Sequence, residues 1–218
     1  LNALGHDAVL FDLDGVLVDS RAPFARGINS ALAAHGLRER PQAELYHYLG
    51  PPIHETFRAL GSDEGLVQAC VDTYRDRYGR LAADETTVFP GIRALLTELS
   101  ATTPLVIATS KPRALAEPLT RSLGLDRFFA AVVGPDLTSE DEPKAVTLER
   151  ALLALPPDAR PVMVGDRKYD VVAAHEHDIP VIGVLWGVGS EDELRGAGAD
   201  ALVNTPAELG ALLAVNRS

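Results

Sequence analysis

A single cysteine, Cys70, stands in 218 residues, so no intrachain disulfide can form and no thiolate cluster is available for zinc. Lysine is almost as scarce. Only Lys111, Lys144 and Lys168 occur among 20 Lys and Arg residues, which face 31 Asp and Glu for a formal net charge of -11. No Lys/Arg run offers a basic groove or a patch for anionic lipid, and the overall field repels a phosphate backbone. A nucleic-acid polymer and a membrane surface are therefore excluded as expected partners. No apolar stretch reaches membrane-spanning length, and Leu1 to Asp7 show no basic segment followed by an apolar run, so a reducing cytoplasm is the expected location. Internal repeats and low-complexity tracts are missing too. With 46% hydrophobic and 23% charged residues, enough apolar side chain remains for one globular core carrying a smaller accessory domain. An anionic small molecule would need a site made locally positive by a metal ion or a few placed cations.

What is present is an alternation of short apolar runs with amphipathic stretches. The runs Ala8 to Leu13, Pro104 to Thr109, Phe129 to Val133, Pro161 to Gly165 and Pro180 to Leu185, with a weaker one at Ala199 to Val203, are too brief for helices and predict buried strands. Helices are predicted at Gly91 to Ala101, Ala114 to Leu123, Lys144 to Leu155, Asp170 to Glu176, Glu191 to Arg195 and Pro206 to Ala214. Near-continuous apolar strands separated by helices imply an α/β fold with a parallel sheet covered on both faces. Residues 18–87 break the pattern with helical stretches alone, near Pro23 to His35, Gln42 to Tyr48, Ile53 to Leu60 and Glu64 to Arg80. In the last, Leu66, Cys70, Thr73, Tyr74, Arg77 and Tyr78 recur at spacings of three and four and predict one inward face. The expectation is an α/β core formed by residues 1–17 and 88–218, into which a helical cap, 18–87, is inserted through hinge strands at Val16 to Ser20 and Thr87 to Gly91.

In open parallel sheets ligands gather at the carboxyl ends of the strands. Those ends carry Asp12 and Asp14, Thr109 and Ser110, and Asp166, with Asp170 four residues beyond Asp166. So many carboxylates at one edge repel each other without a cation, and oxygen-rich ligation with no His or Cys cluster suits a hard ion such as magnesium. Each residue also has a plainer role open to it. Thr109 and Ser110 are candidate N-caps for the helix after Pro112, and Asp170 is a candidate helix-start acid. Lys111 and Lys168 flank the site and are expected to be solvated.

Asp12-Leu-Asp-Gly-Val-Leu-Val-Asp-Ser20, followed in order by Thr109, Lys144 and Gly165-Asp166-Arg-Lys-Tyr-Asp170, resembles the motif series of haloacid dehalogenase superfamily phosphatases. The insertion between the first two motifs is similar to the cap of the subgroup containing phosphoglycolate phosphatases, β-phosphoglucomutases and some 5′-nucleotidases. The resemblance implies a Rossmann-like sheet and hydrolysis of a small soluble phosphomonoester. In it Asp12 is the nucleophile that forms an aspartyl-phosphate, and Asp14 is the general acid and base. Magnesium is held by Asp12, the Asp14 carbonyl and Asp166, with Asp170 ligating directly or through water, and the phosphoryl oxygens are bound by Thr109 and Lys144, with Ser110 as a further substrate-binding residue. Residues Leu49 to His54, Tyr74 to Tyr78, Ser110 to Pro112 and Gly183 to Gly187 look like the phosphoglycolate phosphatase and 5′-nucleotidase branches. The turn at Gly50 and Pro51 is then the expected specificity loop, with Arg58, Arg26 and His54 as further candidates for substrate contact.

Departures from the family's other patterns narrow the chemistry. Dehalogenases lack the acid that Asp14 supplies, phosphonatases need a cap lysine that residues 18–87 do not contain, and β-phosphoglucomutases carry a histidine where this chain has Phe24. Mutase-like phosphoryl transfer and a catalytically inactive binding protein remain the alternatives to hydrolysis.

Overall fold

The computed structural model describes residues 5–139 and 142–215. Residues 1–4 and 216–218, the outer ends of the expected core segments, lie outside the described residues, as do 140 and 141. The chain runs β1 (Ala8–Phe11), β2 (Val18–Asp19), α1 (Arg21–Ala34), α2 (Gln42–Leu45), α3 (Ile53–Ala59), α4 (Glu64–Glu85), β3 (Thr87–Val88), α5 (Ile92–Ser100) and β4 (Leu105–Ala108). It continues with α6 (Arg113–Ser122), β5 (Ala131–Val133), α7 (Lys144–Leu152), β6 (Pro161–Gly165), α8 (Lys168–His175), β7 (Val181–Val184), α9 (Glu191–Ala197), β8 (Ala201–Val203) and α10 (Pro206–Val215).

Six strands form one sheet in the order β5-β4-β1-β6-β7-β8, every pair parallel. Every residue of β1, β4 and β7 is buried, because each strand has apolar layers on both faces. Period-two alternation divides those side chains. Val9, Phe11, Ile107 and Val164 join the core that includes α5 and α10, whereas Leu10, Val106 and Met163 join the one that includes α7 and α8. Each fully buried aliphatic side chain of this kind stabilises the fold by roughly 1.5–3 kcal/mol. Among the described residues no helix is long and apolar enough to cross a membrane.

Helices α1 to α4 lie between β2 and β3, which pair antiparallel with Val18 opposite Val88, inside the two segments expected to be hinge strands. The helical insertion packs around aromatic rings. Phe24 meets Tyr74 edge-on at 5.9 Å, Phe57 meets Tyr74 at 6.3 Å, and Tyr74 stacks on Tyr78 at 5.3 Å. Gly27 lets α1 approach this cluster, since a β-carbon there would stand only 3.0 Å from the Tyr74 ring. The buried stripe of α4 is Val67, Cys70, Val71, Tyr74, Tyr78 and Ala82. That corrects the expected face. Arg77 is exposed and Leu66 and Thr73 are half-buried, because Val67 and Val71, rather than they, flank the Cys70, Tyr74 and Tyr78 ridge. The helix also runs past Arg80 to Glu85, ending only where β3 begins.

Candidate active site

Strand register assembles the site. β1 lies between β4 and β6, and Phe11 sits opposite Ile107 on one side and Val164 on the other. One residue on, Asp12, Ala108 and Gly165 are level, and Thr109 and Asp166 come next at the same carboxyl edge. This is where the strand order reverses and a crevice must open.

Oxygens of Asp12, Asp166 and Asp170 lie within 4.8 Å of one another, and all three residues are buried. Each carboxylate is aimed by its surroundings. The Val188 N–H donates to Asp166 Oδ2 at 2.7 Å, and the Arg167 N–H donates to Asp170 Oδ2 at 3.0 Å in a capping box at the start of α8. Asp170 is therefore both the helix-start acid and a member of the cluster. Gly15, with φ +85, and Gly187 let the backbone close on Asp166, because a β-carbon at either would run into its carboxylate. Lys144, in the first turn of α7, places its ammonium 2.9 Å from Asp12 Oδ1 and in contact with Asp170 Oδ1. Among the described residues those two oxygens have no well-aligned hydrogen-bond donor, and the buried Asp166 Oδ1 has no donor.

The electrostatics follow from burial. Desolvation raises the Asp12 carboxyl to about 6 against the pull of Lys144, and desolvation followed by the Asp170 and Asp12 charges raises Asp166 well above the carboxylate range. Burial alone would lower the Lys144 ammonium, but Asp12 and Asp170 outweigh it and raise it. Three carboxylates with one ammonium leave two buried negative charges uncompensated. A hard divalent cation matches that deficit in charge, in oxygen ligation and in the donor-free Asp166 oxygen.

Asp14 faces the cleft beside this cluster. Its Oδ1 accepts from the Ser20 hydroxyl at 2.5 Å and from Lys111 Nζ at 2.6 Å, and Lys111 Nζ also donates to the Tyr78 hydroxyl at 2.7 Å. The expectation that Lys111 is solvated is therefore wrong, since its side chain is 7% exposed and bound to a carboxylate 97 residues away in the chain. Lys168 is exposed as expected. Thr109 is buried and its hydroxyl accepts from the Lys111 N–H at 3.2 Å, while the N-cap of α6 is Pro112 with no side-chain cap. Neither Thr109 nor Ser110 caps that helix.

A cleft of about 850 Å³, open to solvent, runs between sheet edge and cap. Asp12, Asp14, Thr109, Ser110 and Lys111 line its floor, and Gly50, His54, Arg75 and Tyr78 its cap side. Gly50, at φ +118, sits where the Arg167 guanidinium reaches the cap, donating to His47 O at 3.1 Å and to Leu49 O, with Glu193 on its Nε at 2.8 Å. Arg58 and Arg26 are elsewhere. They are exposed and paired with Glu64 and Glu85, and neither lines the cleft. His54 is buried in the cleft wall with Nε2 3.2 Å from Gln68 Oε1. Lys111, Arg75 and Arg167 were missed as site residues, although the segments Ser110 to Pro112 and Tyr74 to Tyr78 and the Asp166 motif contain all three.

The haloacid dehalogenase-like hydrolase family model matches residues 9–184. A Pseudomonas aeruginosa protein named 5′-nucleotidase is 38% identical over 88% of this chain and 89% of its own, and a Chromobacterium violaceum phosphoglycolate phosphatase is 35% identical over 93% and 94%. The Mycobacterium tuberculosis protein named tyrosine-protein kinase PtkA is 39% identical over 84% of this chain but 64% of its own. A solved Clostridium acetobutylicum structure described as a predicted phosphatase superposes with a TM-score of 0.90 at 33% identity, covering 96% of this chain and 99% of that one. Together with a parallel sheet whose edge gathers Asp12, Thr109, Lys144, Asp166 and Asp170, these matches establish that the chain belongs to the haloacid dehalogenase-like hydrolases.

Proposed function

We propose that the protein is a magnesium-dependent phosphatase of small phosphomonoesters. The observation that carries the reading is the convergence of Asp12, Asp166 and Asp170, with the Lys144 ammonium on Asp12 and Asp170, where Asp12 reaches the floor of a cleft beneath the cap. Asp12 would attack phosphorus in line with the leaving oxygen and form an aspartyl-phosphate, dividing one difficult displacement into two easier ones. Asp14, tethered by Ser20 and Lys111, would give its proton to the departing alkoxide and then take one from the water that hydrolyses the acyl phosphate. The Thr109 hydroxyl and the Lys144 ammonium would bind phosphoryl oxygens, with Ser110 beside them. Magnesium, held by Asp12, Asp166, Asp170 and the Asp14 carbonyl, would supply the positive charge that neutralises the transferring group.

Hydrolysis is favoured over mutase chemistry by the cap. Phe24, which stands where those relatives carry histidine, lines the cleft and packs against Tyr74, so it offers no proton-carrying group there. Relatives named phosphoglycolate phosphatase and 5′-nucleotidase support a phosphomonoester substrate. The test is phosphate release from p-nitrophenyl phosphate and from a panel of phosphoglycolate, nucleoside monophosphates and sugar phosphates. Turnover should require magnesium, stop with EDTA and vanish in Asp12→Asn. Labelling of the protein's own tyrosines by ATP without phosphate release would overturn the reading.

A further inference from the structure

The cleft contains a cation that the chemistry above leaves without a task. Arg75 lines it from α4, its Nε is buried without a hydrogen-bond partner, and its guanidinium makes no ion pair among the described residues. The other charges of the cleft are matched. Lys111 holds Asp14, Lys144 is bound to Asp12 and Asp170, and Glu142 is held by Arg150. Carboxylates near Arg75 on its own helix are also engaged, Asp72 by Gln68 and Asp76 by Arg80. Tyr78 stands one helical turn beyond Arg75, and the Lys111 ammonium joins the Tyr78 hydroxyl to Asp14. Arg75 therefore sits on the cap side of the cleft, one turn from the position tied to Asp14.

We propose that Arg75 binds a second anionic group, a carboxylate or a phosphate, carried by the leaving alcohol. This rests on the phosphatase reading and narrows it to phosphomonoesters of anionic alcohols, as opposed to nucleosides or uncharged sugars. A guanidinium whose Nε is buried without a partner is under-satisfied on that side, and its planar fork of donors fits a carboxylate or phosphate through two parallel bonds. The apolar lining of Pro51, Ile53 and Leu115 strengthens such a pair by lowering the local dielectric. In a protein with a net charge of -11, a placed cation on the cap is also what an anionic leaving group needs in order to enter.

The decisive measurement compares kcat/KM for 2-phosphoglycolate, for a sugar bisphosphate and for ethyl phosphate, whose leaving group is neutral, in wild type, Arg75→Gln and Arg75→Lys. The native enzyme should prefer one of the anionic esters over ethyl phosphate by about 10- to 100-fold, and which of them is preferred identifies carboxylate or phosphate. Arg75→Gln should bring that ratio to within about 3-fold of unity, chiefly through KM, and Arg75→Lys should retain part of it. No preference in wild type, or a ratio unmoved by Arg75→Gln, would refute the assignment. Calorimetric binding to Asp12→Asn with magnesium reads the same selectivity without turnover. Selective binding with no hydrolysis in wild type would overturn the phosphatase reading and leave Arg75's role standing, whereas hydrolysis without selectivity would do the reverse.

Discussion

Removing one carboxylate from the buried cluster should make the metal-free protein more stable and deaf to magnesium. In the metal-free fold the Asp12 carboxyl is raised from 3.8 to about 6, and Asp166 is raised in the same sense. A carboxyl whose folded pKa lies above its unfolded value contributes fully below the unfolded value, and that contribution is lost as pH rises through the folded one. At pH 7.5 the ionised Asp12 alone therefore costs about 3 kcal/mol, or roughly 6–12 °C in Tm for a chain of this size. Metal-free protein should gain stability as pH falls from 7.5 to 5. Asp7, Asp19 and Glu208, whose carboxyls are lowered on folding, lose their contributions only below that window. Magnesium at 100 times its dissociation constant should restore about 2.7 kcal/mol at pH 7.5 and much less at pH 5.

In Asp166→Asn the amide oxygen can still accept from the Val188 N–H, and the amide NH2 would replace an unpartnered oxygen facing two other carboxylates. Differential scanning fluorimetry of EDTA-treated wild type and Asp166→Asn, at pH 5 and 7.5 with and without magnesium, gives the full comparison. A wild-type Tm that falls from pH 7.5 to 5 without metal, or a magnesium shift of equal size in Asp166→Asn, would refute the reasoning.

Four further substitutions probe the surrounding contacts. Lys111→Met should lower kcat on the order of 100-fold, because Asp14 loses its ammonium and keeps the Ser20 hydroxyl, while Tyr78→Phe removes one bond to Lys111 and should lower it less than 10-fold; equal effects in steady-state assays would count against this ordering. Arg167→Met retains the backbone N–H that caps Asp170 but loses the bonds to His47 O and Leu49 O, so KM should rise about 10-fold and amide exchange across residues 47–50 quicken, with the magnesium shift in Tm unchanged. Gly15→Ala meets both a φ of +85 and the Asp166 carboxylate, and should destabilise the fold by about 2 kcal/mol or more and abolish magnesium-dependent turnover, which urea titration and activity assays would read.

What the sequence made legible divides along the kind of contact involved. Asp12, Thr109 and Asp166 were readable because each ends an apolar run, and parallel pairing of those runs brings their ends to one edge whatever the rest of the chain does. Lys144 and Asp170 needed one more step, the start of α7 and of α8, and helix-start patterns supply it. Lys111 was misplaced because its partners are Asp14 and Tyr78, the latter on a helix whose docking against the sheet leaves no local mark in the sequence. The same gap separates Arg75 from Arg26 and Arg58. All three are arginines on amphipathic cap helices, and only the phase of each helix against the cleft decides which guanidinium enters it and which finds Glu85 or Glu64 on the surface. That phase is set by side chains such as Tyr74 and Phe57 meeting across helices, so the cluster residues fixed by strand register are legible early while those on the cap side of the cleft become so only once the cap is packed.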